Sequence, residues 1–222
     1  MTVLPAMGFF GALADLLATP AMGDWADADA IEIATALEGW RTTAGTVLTG
    51  TRNVEPHREL RGGQPTPNDS LAGHRVGLRT PFGRVELVPL SLGETVLLSQ
   101  HVAVPDIRAG INRTSLDDLA DLDVPRRAPG QDGTRASQEF VIDVVVTRGP
   151  VTRRASVRGN DIYGITAPIV VEAAVRLLGG LPGGVFAAGA VFDAGDFLDA
   201  LPVHLTRDGA PRPTDALPRS HS

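Results

Sequence analysis

The chain contains no cysteine and no lysine, so two large parts of enzyme chemistry are closed to it from the start. Without cysteine there is no thiolate nucleophile, no disulfide framework and no thiolate metal ligand. Without lysine there is no Schiff base, no anchor for pyridoxal phosphate and no phosphate-binding lysine of the Walker type. Tyrosine is nearly absent, with one residue, Tyr163. The 20 basic residues are all arginines and are outnumbered by 26 acidic ones, giving a formal charge of -6. That balance argues against a surface that tracks a phosphate backbone, so no nucleic-acid partner is expected. No stretch is long and uncharged enough to span a bilayer, and no membrane partner is expected. The first 23 residues are apolar enough to resemble a secretion signal, but no arginine precedes Arg41 and Asp15 interrupts the apolar region. The expectation is therefore a cytoplasmic protein.

What is present suffices for a real core. At 222 residues and 43% hydrophobic content the chain suits one large domain, expected over residues 1–206, with a disordered tail over 207–222, where Pro, Arg, Asp and Ser take over. Val3 and Leu4 make a stub of strand without a neighbour, which reads as the last strand of a missing sheet. Phe9, Leu13, Leu16 and Leu17 recur at helical spacing and predict a helix over 9–18, ended by Thr19-Pro20. Alternation over 31–37 predicts a half-buried strand, and residues 42–53 suit a helix or an irregular segment. The Gly- and Pro-rich stretch 55–79 predicts short strands between loops, and 85–88 and 95–98 predict further strands. A short helix is expected over 115–122 with Ser115 as its cap. Phe140, Ile142, Val144 and Val146 share one face of a strand that turns at Gly149-Pro150 and returns over 151–157. That apolar face must be covered by helices or by another subunit, and a dimer is expected. Thr166 and Pro168 mark a helix start, with Ile169, Val170, Ala173, Ala174, Leu177 and Leu178 as its apolar stripe and Glu172 paired with Arg176. A last helix is expected over 194–201.

The recognised motifs are missing. None of the 25 glycines forms the three-glycine turn that lets a backbone approach a pyrophosphate, and Gly8-Phe9-Phe10-Gly11 puts aromatics where a nucleotide needs room. Pro89-Leu90-Ser91-Leu92-Gly93 lacks the first glycine of a hydrolase elbow. The five histidines include no pair spaced to hold a metal on a helix, and no metal site is expected. What remains is a sparse polar set. His101 lies close in sequence to Arg108 and Arg113, so it could donate a proton beside guanidiniums that hold a substrate carboxylate. Asp161 and Tyr163 precede a helix whose first amides favour an anion. His101, Asp161 and Tyr163 are the candidate catalytic residues, and Arg108 and Arg113 the candidate substrate-binding ones. Each also has a plain structural reading, as a surface histidine, a cap or a turn.

Three segments resemble a known family. They are Met7-Gly8-Phe9-Phe10-Gly11-Ala12-Leu13-Ala14-Asp15-Leu16-Leu17-Ala18, Thr80-Pro81-Phe82-Gly83-Arg84-Val85-Glu86, and the run from Gly159-Asn160-Asp161-Ile162-Tyr163 through Thr166-Ala167-Pro168 to Ala174. Together they resemble the saccharopine dehydrogenase-like NAD(P)-dependent oxidoreductases, over most of the chain up to Leu201. The resemblance implies an α+β fold, with a predominantly antiparallel or mixed sheet and helices packed on one face. It corresponds to the family's C-terminal, substrate-shaping and dimerising domain, without a complete Rossmann domain. It implies NAD(P) for the full-length family and no cofactor held by this chain alone. The partners it implies are a second copy, a separate Rossmann domain or chain, and a small polar amino- or keto-acid-type substrate. Two other expectations stand beside it: a freestanding, non-catalytic oligomerisation or small-molecule-binding module, and a cofactor-independent proton-transfer enzyme using His101 or the Asp161 and Tyr163 pair.

Overall fold

The computed structural model describes residues 1–52, 56–68, 72–78, 81–120 and 138–207. Its centre is the hairpin foreseen from alternation. Strands β8 (Glu139–Arg148) and β9 (Val151–Asn160) pair antiparallel in register from Glu139↔Asn160 to Arg148↔Val151, turning at Gly149 with φ 53°. On the other side of β8 lies β2 (Ala30–Glu38), antiparallel to it and parallel to β7 (Asp106–Asn112). Beyond β7 the sheet forks. One branch holds β3 (Arg58–Arg61) and β4 (Gln64–Pro67), and the other β6 (Arg84–Pro89) and β5 (His74–Gly77). With β11 (His204–Arg207) on the far edge beside β9, this makes a mixed nine-stranded sheet among the described residues. A second, two-stranded sheet pairs β1 (Thr2–Val3) parallel with β10 (Gly184–Val185).

One face of the large sheet carries Ile31, Ile33, Ile107, Phe140, Ile142, Val144, Ala155 and Val157, and helix α1 (Phe9–Met22) lies against it. That helix is apolar nearly all round because it is buried on both sides. Its outer side is covered by α3 (Glu94–Ser99), α5 (Ile162–Leu178), α6 (Ala188–Val191) and α7 (Ala194–Asp199). The hairpin's apolar face is thus covered by the chain's own helix. The opposite face has a smaller apolar cluster, with Ala34, Ala36, Leu78, Leu87 and Val141. Beside it Asp143 is buried and held by Arg154, which also donates to the Gly77 carbonyl at 2.7 Å. Helices α2 (Ala44–Arg52) and α4 (Arg113–Ala120) sit near the C-terminal end of β2.

Four expectations are corrected. Helix α1 does not stop at Thr19-Pro20. Pro20 stands in its last turn and forfeits one backbone bond, buried Ala21 and Met22 keep the packing going, and Gly23 ends the helix at φ 58°. The segment 95–98 is helical: Glu94, Thr95, Leu97 and Leu98 are buried and Val96 is exposed, a pattern that repeats at helical spacing. Ser115 is no cap but lies inside α4, donating to the Leu37 carbonyl at 3.2 Å. Helix α5 starts at Ile162, not at Pro168, because Asp161 caps it by accepting from the Tyr163 N–H. Pro168 is tolerated inside, facing the carbonyl of Gly164 one turn earlier. The tail expectation meets β11 at Arg207, and 208–222 lie outside the described residues.

Candidate functional site

Asp15 sits mid-way along α1 with no exposed surface. A carboxylate there costs several kcal/mol unless it is fully paired. It is paired twice: Oδ1 accepts from His101 Nε2 at 2.6 Å and Oδ2 from the Gly189 N–H at 2.7 Å. His101 follows α3, and Gly189 belongs to α6, which follows β10 closely. Gly189 must be glycine, because a Cβ would lie 2.9 Å from the Asp15 carbonyl and 3.1 Å from the His101 ring. Since a carboxylate only accepts, the His101 proton is assigned to Nε2, leaving Nδ1 to take up or release a proton. The His101 side chain is 12% exposed, so the ring edge reaches solvent while its partner does not. Thr19 Oγ1, buried beside Gly189, makes no hydrogen bond among the described residues.

Sequence proximity had grouped His101 with Arg108 and Arg113, and the fold separates them. Arg108 projects from the face of β7 opposite to Ile107, away from α1, where it donates to Glu32 at 3.1 Å. Arg113 opens α4 and pairs with Glu86 at 2.7 Å, both partly exposed. That hydrogen bond raises the Arg113 pKa and lowers that of Glu86. Asp161 and Tyr163 stand at the other end of the sheet from His101. His101 lies beside the Asp27↔Ala103 bridge that precedes β2, whereas Tyr163 meets residues just past its end. A nine-residue strand spans roughly 30 Å, so the two are not one site.

Asp161 is buried, adopts φ 59° and caps α5. The Tyr163 hydroxyl meets Trp40 Nε1 at 3.3 Å, the Thr43 N–H at 3.2 Å and Thr46 Oγ1 at 2.8 Å. These bonds fasten the start of α2 to α5.

Three polar residues that sequence reasoning passed over surround Arg108. Glu32 accepts from His74 Nε2 at 2.6 Å as well as from Arg108. Glu59, almost buried, accepts from Arg61 at 2.9 Å and from the Asn68 amide. With Leu87, Pro89, Ala109 and Gly110 they line a shallow cleft that encloses about 20 Å³, room for about one water. Alternation had marked Glu32 only as the polar side of a strand, and nothing in the sequence shows that β3, β5 and β7 bring Glu59, His74 and Arg108 to it. A further buried carboxylate, Glu94, has no cationic partner among the described residues. Its oxygens accept from the Leu92 N–H at 3.1 Å, and burial pushes its pKa from 4.5 up to about 7. Among the described residues no group of three His, Asp or Glu side chains could hold a metal. No helix among them is long and apolar enough to cross a membrane.

The Gly8-Phe9-Phe10-Gly11 turn has no space for a phosphate. Phe9 is buried, and a Cβ on Gly11 would meet the Ala6 carbonyl at 2.5 Å.

No protein-family model matches the chain. No curated protein matches it either. Among solved structures, an apo histidine-tagged saccharopine dehydrogenase (L-Glu forming) from Saccharomyces cerevisiae aligns with a TM-score of 0.49 and 9% identity, over 88% of this chain and 71% of that one. The likeness is a distant one of structure, and no residue role is transferred from it.

Proposed function

We propose that the chain is the substrate-binding and dimerisation portion of a saccharopine dehydrogenase-like, NAD(P)-dependent oxidoreductase. In this reading it acts on a small polar amino- or keto-acid-type metabolite, and the nucleotide is bound by an α/β domain outside these residues. The observation that carries the reading is an unfinished parallel sheet beside an uncovered apolar helix face. β1 and β10 pair in parallel over two residues each, too short to stand alone, and parallel strands need both faces covered. Val3 and Val185 are exposed there. Next to them α5 turns Ala167, Val170, Val171, Ala174, Val175 and Leu178 to solvent, with Leu178 88% exposed. This spacing makes one continuous stripe. An α/β domain offers a parallel strand for the β1 and β10 edge and apolar surface for the stripe, a pairing that a solvated surface cannot supply.

The Gly8–Gly11 turn, closed by buried Phe9, leaves no room for a pyrophosphate, and in this reading the nucleotide belongs to the separate α/β domain. The chain's own chemistry is the Asp15 and His101 pair. Asp15 fixes the ring through the Nε2 proton, and in this reading His101 Nδ1 is the atom that accepts a proton from a substrate amine or returns one to a carbonyl. Its place near α6, just beyond β10, puts it at the same end as the proposed docking edge. If the reading is right, NADPH fluorescence shows no enhancement when titrated with the chain alone. Micromolar binding by these residues alone would sink it. The pair also favours a second reading, a cofactor-independent proton-transfer enzyme. That reading requires His101→Ala to abolish an activity measured with no nicotinamide present.

A further inference from the structure

We propose that α2 is a hinged flap, held shut by the Tyr163 hydroxyl and opening as a unit while the rest of the chain stays folded. Its sequence, Ala44-Gly45-Thr46-Val47-Leu48-Thr49-Gly50-Thr51-Arg52, has two glycines and three threonines in nine positions. These are poor helix formers, and a helix this short is marginal in water even with good ones. Packing does not make up the difference. No residue of α2 is buried: Thr46 and Val47 are half-covered, and Leu48 is 49% exposed. On its far side α2 only grazes α4, where a Cβ added at Gly50 would lie 4.0 Å from Leu119 Cδ2.

What keeps α2 in place is a ring of hydrogen bonds at its first turn. Thr43 caps the helix, its Oγ1 accepting from the Thr46 N–H at 3.1 Å. The Tyr163 oxygen accepts from Trp40 Nε1 and from the Thr43 N–H. That takes up its acceptor capacity, so its own proton goes to Thr46 Oγ1 at 2.8 Å. Thr46 then donates to Thr43 Oγ1 at 2.9 Å. Among the described residues, the Thr46 bond to Tyr163 is the one hydrogen bond between α2 and another element, since Thr49 and Thr51 bond within the helix. The chain just before it is firmly seated, with Trp40 4% exposed and Thr42 fully buried. The pivot therefore lies between Thr42 and Ala44.

Such an element opens at low cost, because closing it removes little apolar surface from water, and its opening does not require the sheet to unfold. Tyr163 itself stays behind on α5, which Ile162, Ile165 and Ile169 anchor in the core. The hydroxyl is thus a latch on a fixed post, a positioning part for the chain's single tyrosine. The device is separate from the function proposed above. It lies at the end of the sheet away from His101, and it operates whether or not a nucleotide domain docks.

Amide hydrogen exchange on the full chain, read by mass spectrometry with no ligand added, tests it. Amides of 47–52 should be protected, but at least about a hundredfold less than those of 140–146 in β8, and their opening should be insensitive to low urea. Tyr163→Phe removes the hydroxyl and keeps the ring. It should speed exchange over 47–52 by at least about fivefold, while 140–146 and 169–177 stay within about twofold of the parent. Thr46→Val takes away the partner on α2 with little change of shape and should act in the same direction, which keeps the test open if Tyr163→Phe misfolds. In Tyr163→Phe the Trp40 indole N–H resonance should shift, while that of Trp25, which lies under Arg153, stays in place. No protection over 47–52 in the parent, or protection equal to that of β8, overturns the proposal. Exchange over 47–52 unaltered in either folded variant, or raised equally in β8, overturns it as well.

Discussion

Two buried carboxylates, Asp15 and Glu94, are satisfied in different ways, and each way has its own consequence. Asp15 is held by His101 and the Gly189 N–H. Asp15→Ala leaves both donors without a partner and should cost about 3 kcal/mol in urea unfolding, with Asp15→Asn costing less. A loss under about 0.5 kcal/mol would mean the pair is not formed. Glu94 accepts from backbone amides and meets no cation among the described residues, and burial raises its pKa from 4.5 to about 7. The folded state therefore holds the proton more tightly than the unfolded one. This contribution is complete below pH 4.5 and is lost as pH rises through about 7. Glu94→Gln should match the parent near pH 4.5 and exceed it at pH 8 by about 1–3 kcal/mol. Melts at the two pH values check this, and a variant less stable than the parent at pH 8 would contradict it. Asp15 was legible as an oddity, a lone charge in an apolar helix, but its partners lie 86 and 174 residues away and only packing brings them to it.

Among the elements, α5 shows how much a periodic pattern leaves open. The stripe expected from spacing mixed Ile169 and Ala173 with Val170, Ala174 and Leu178, and the fold divides them, burying the first two and exposing the others. A helix with two apolar sides has no single face to read, so the sequence could not say which side meets the core. Ile169→Ala should therefore cost about 2–5 kcal/mol by opening a cavity under the helix. Val171→Arg with Val175→Arg should change stability by no more than about 0.5 kcal/mol per site, because both are already in solvent. A large loss in the arginine pair, read by thermal unfolding, would show that this face is already packed. The β8 and β9 hairpin was readable because strict alternation and Gly149-Pro150 agree. α3 was not, since Thr95 and Val96 favour strands and only the joint burial of Glu94, Leu97 and Leu98 makes it a helix.

On the scale of the molecule, a mixed sheet with helices on one face follows from the apolar content of α1 and of the hairpin, and that much was expected from the residues and the family they resemble. The fork at β7 was not, because it depends on two short, polar, Gly- and Pro-rich branches pairing with one strand edge. The central claim is that the short β1 and β10 pair and the open side of α5 complete themselves on a nucleotide-binding α/β domain. Its most direct test fuses a Gly-rich α/β nucleotide domain of a saccharopine dehydrogenase ahead of Thr2 and follows amide hydrogen exchange in α5 with NADPH titrated in. The account predicts nucleotide binding only in the fusion, with slowed exchange over 167–178 that Val171→Arg with Val175→Arg abolishes. Tight NADPH binding by the 222 residues alone, or α5 exchange indifferent to the added domain, would contradict it.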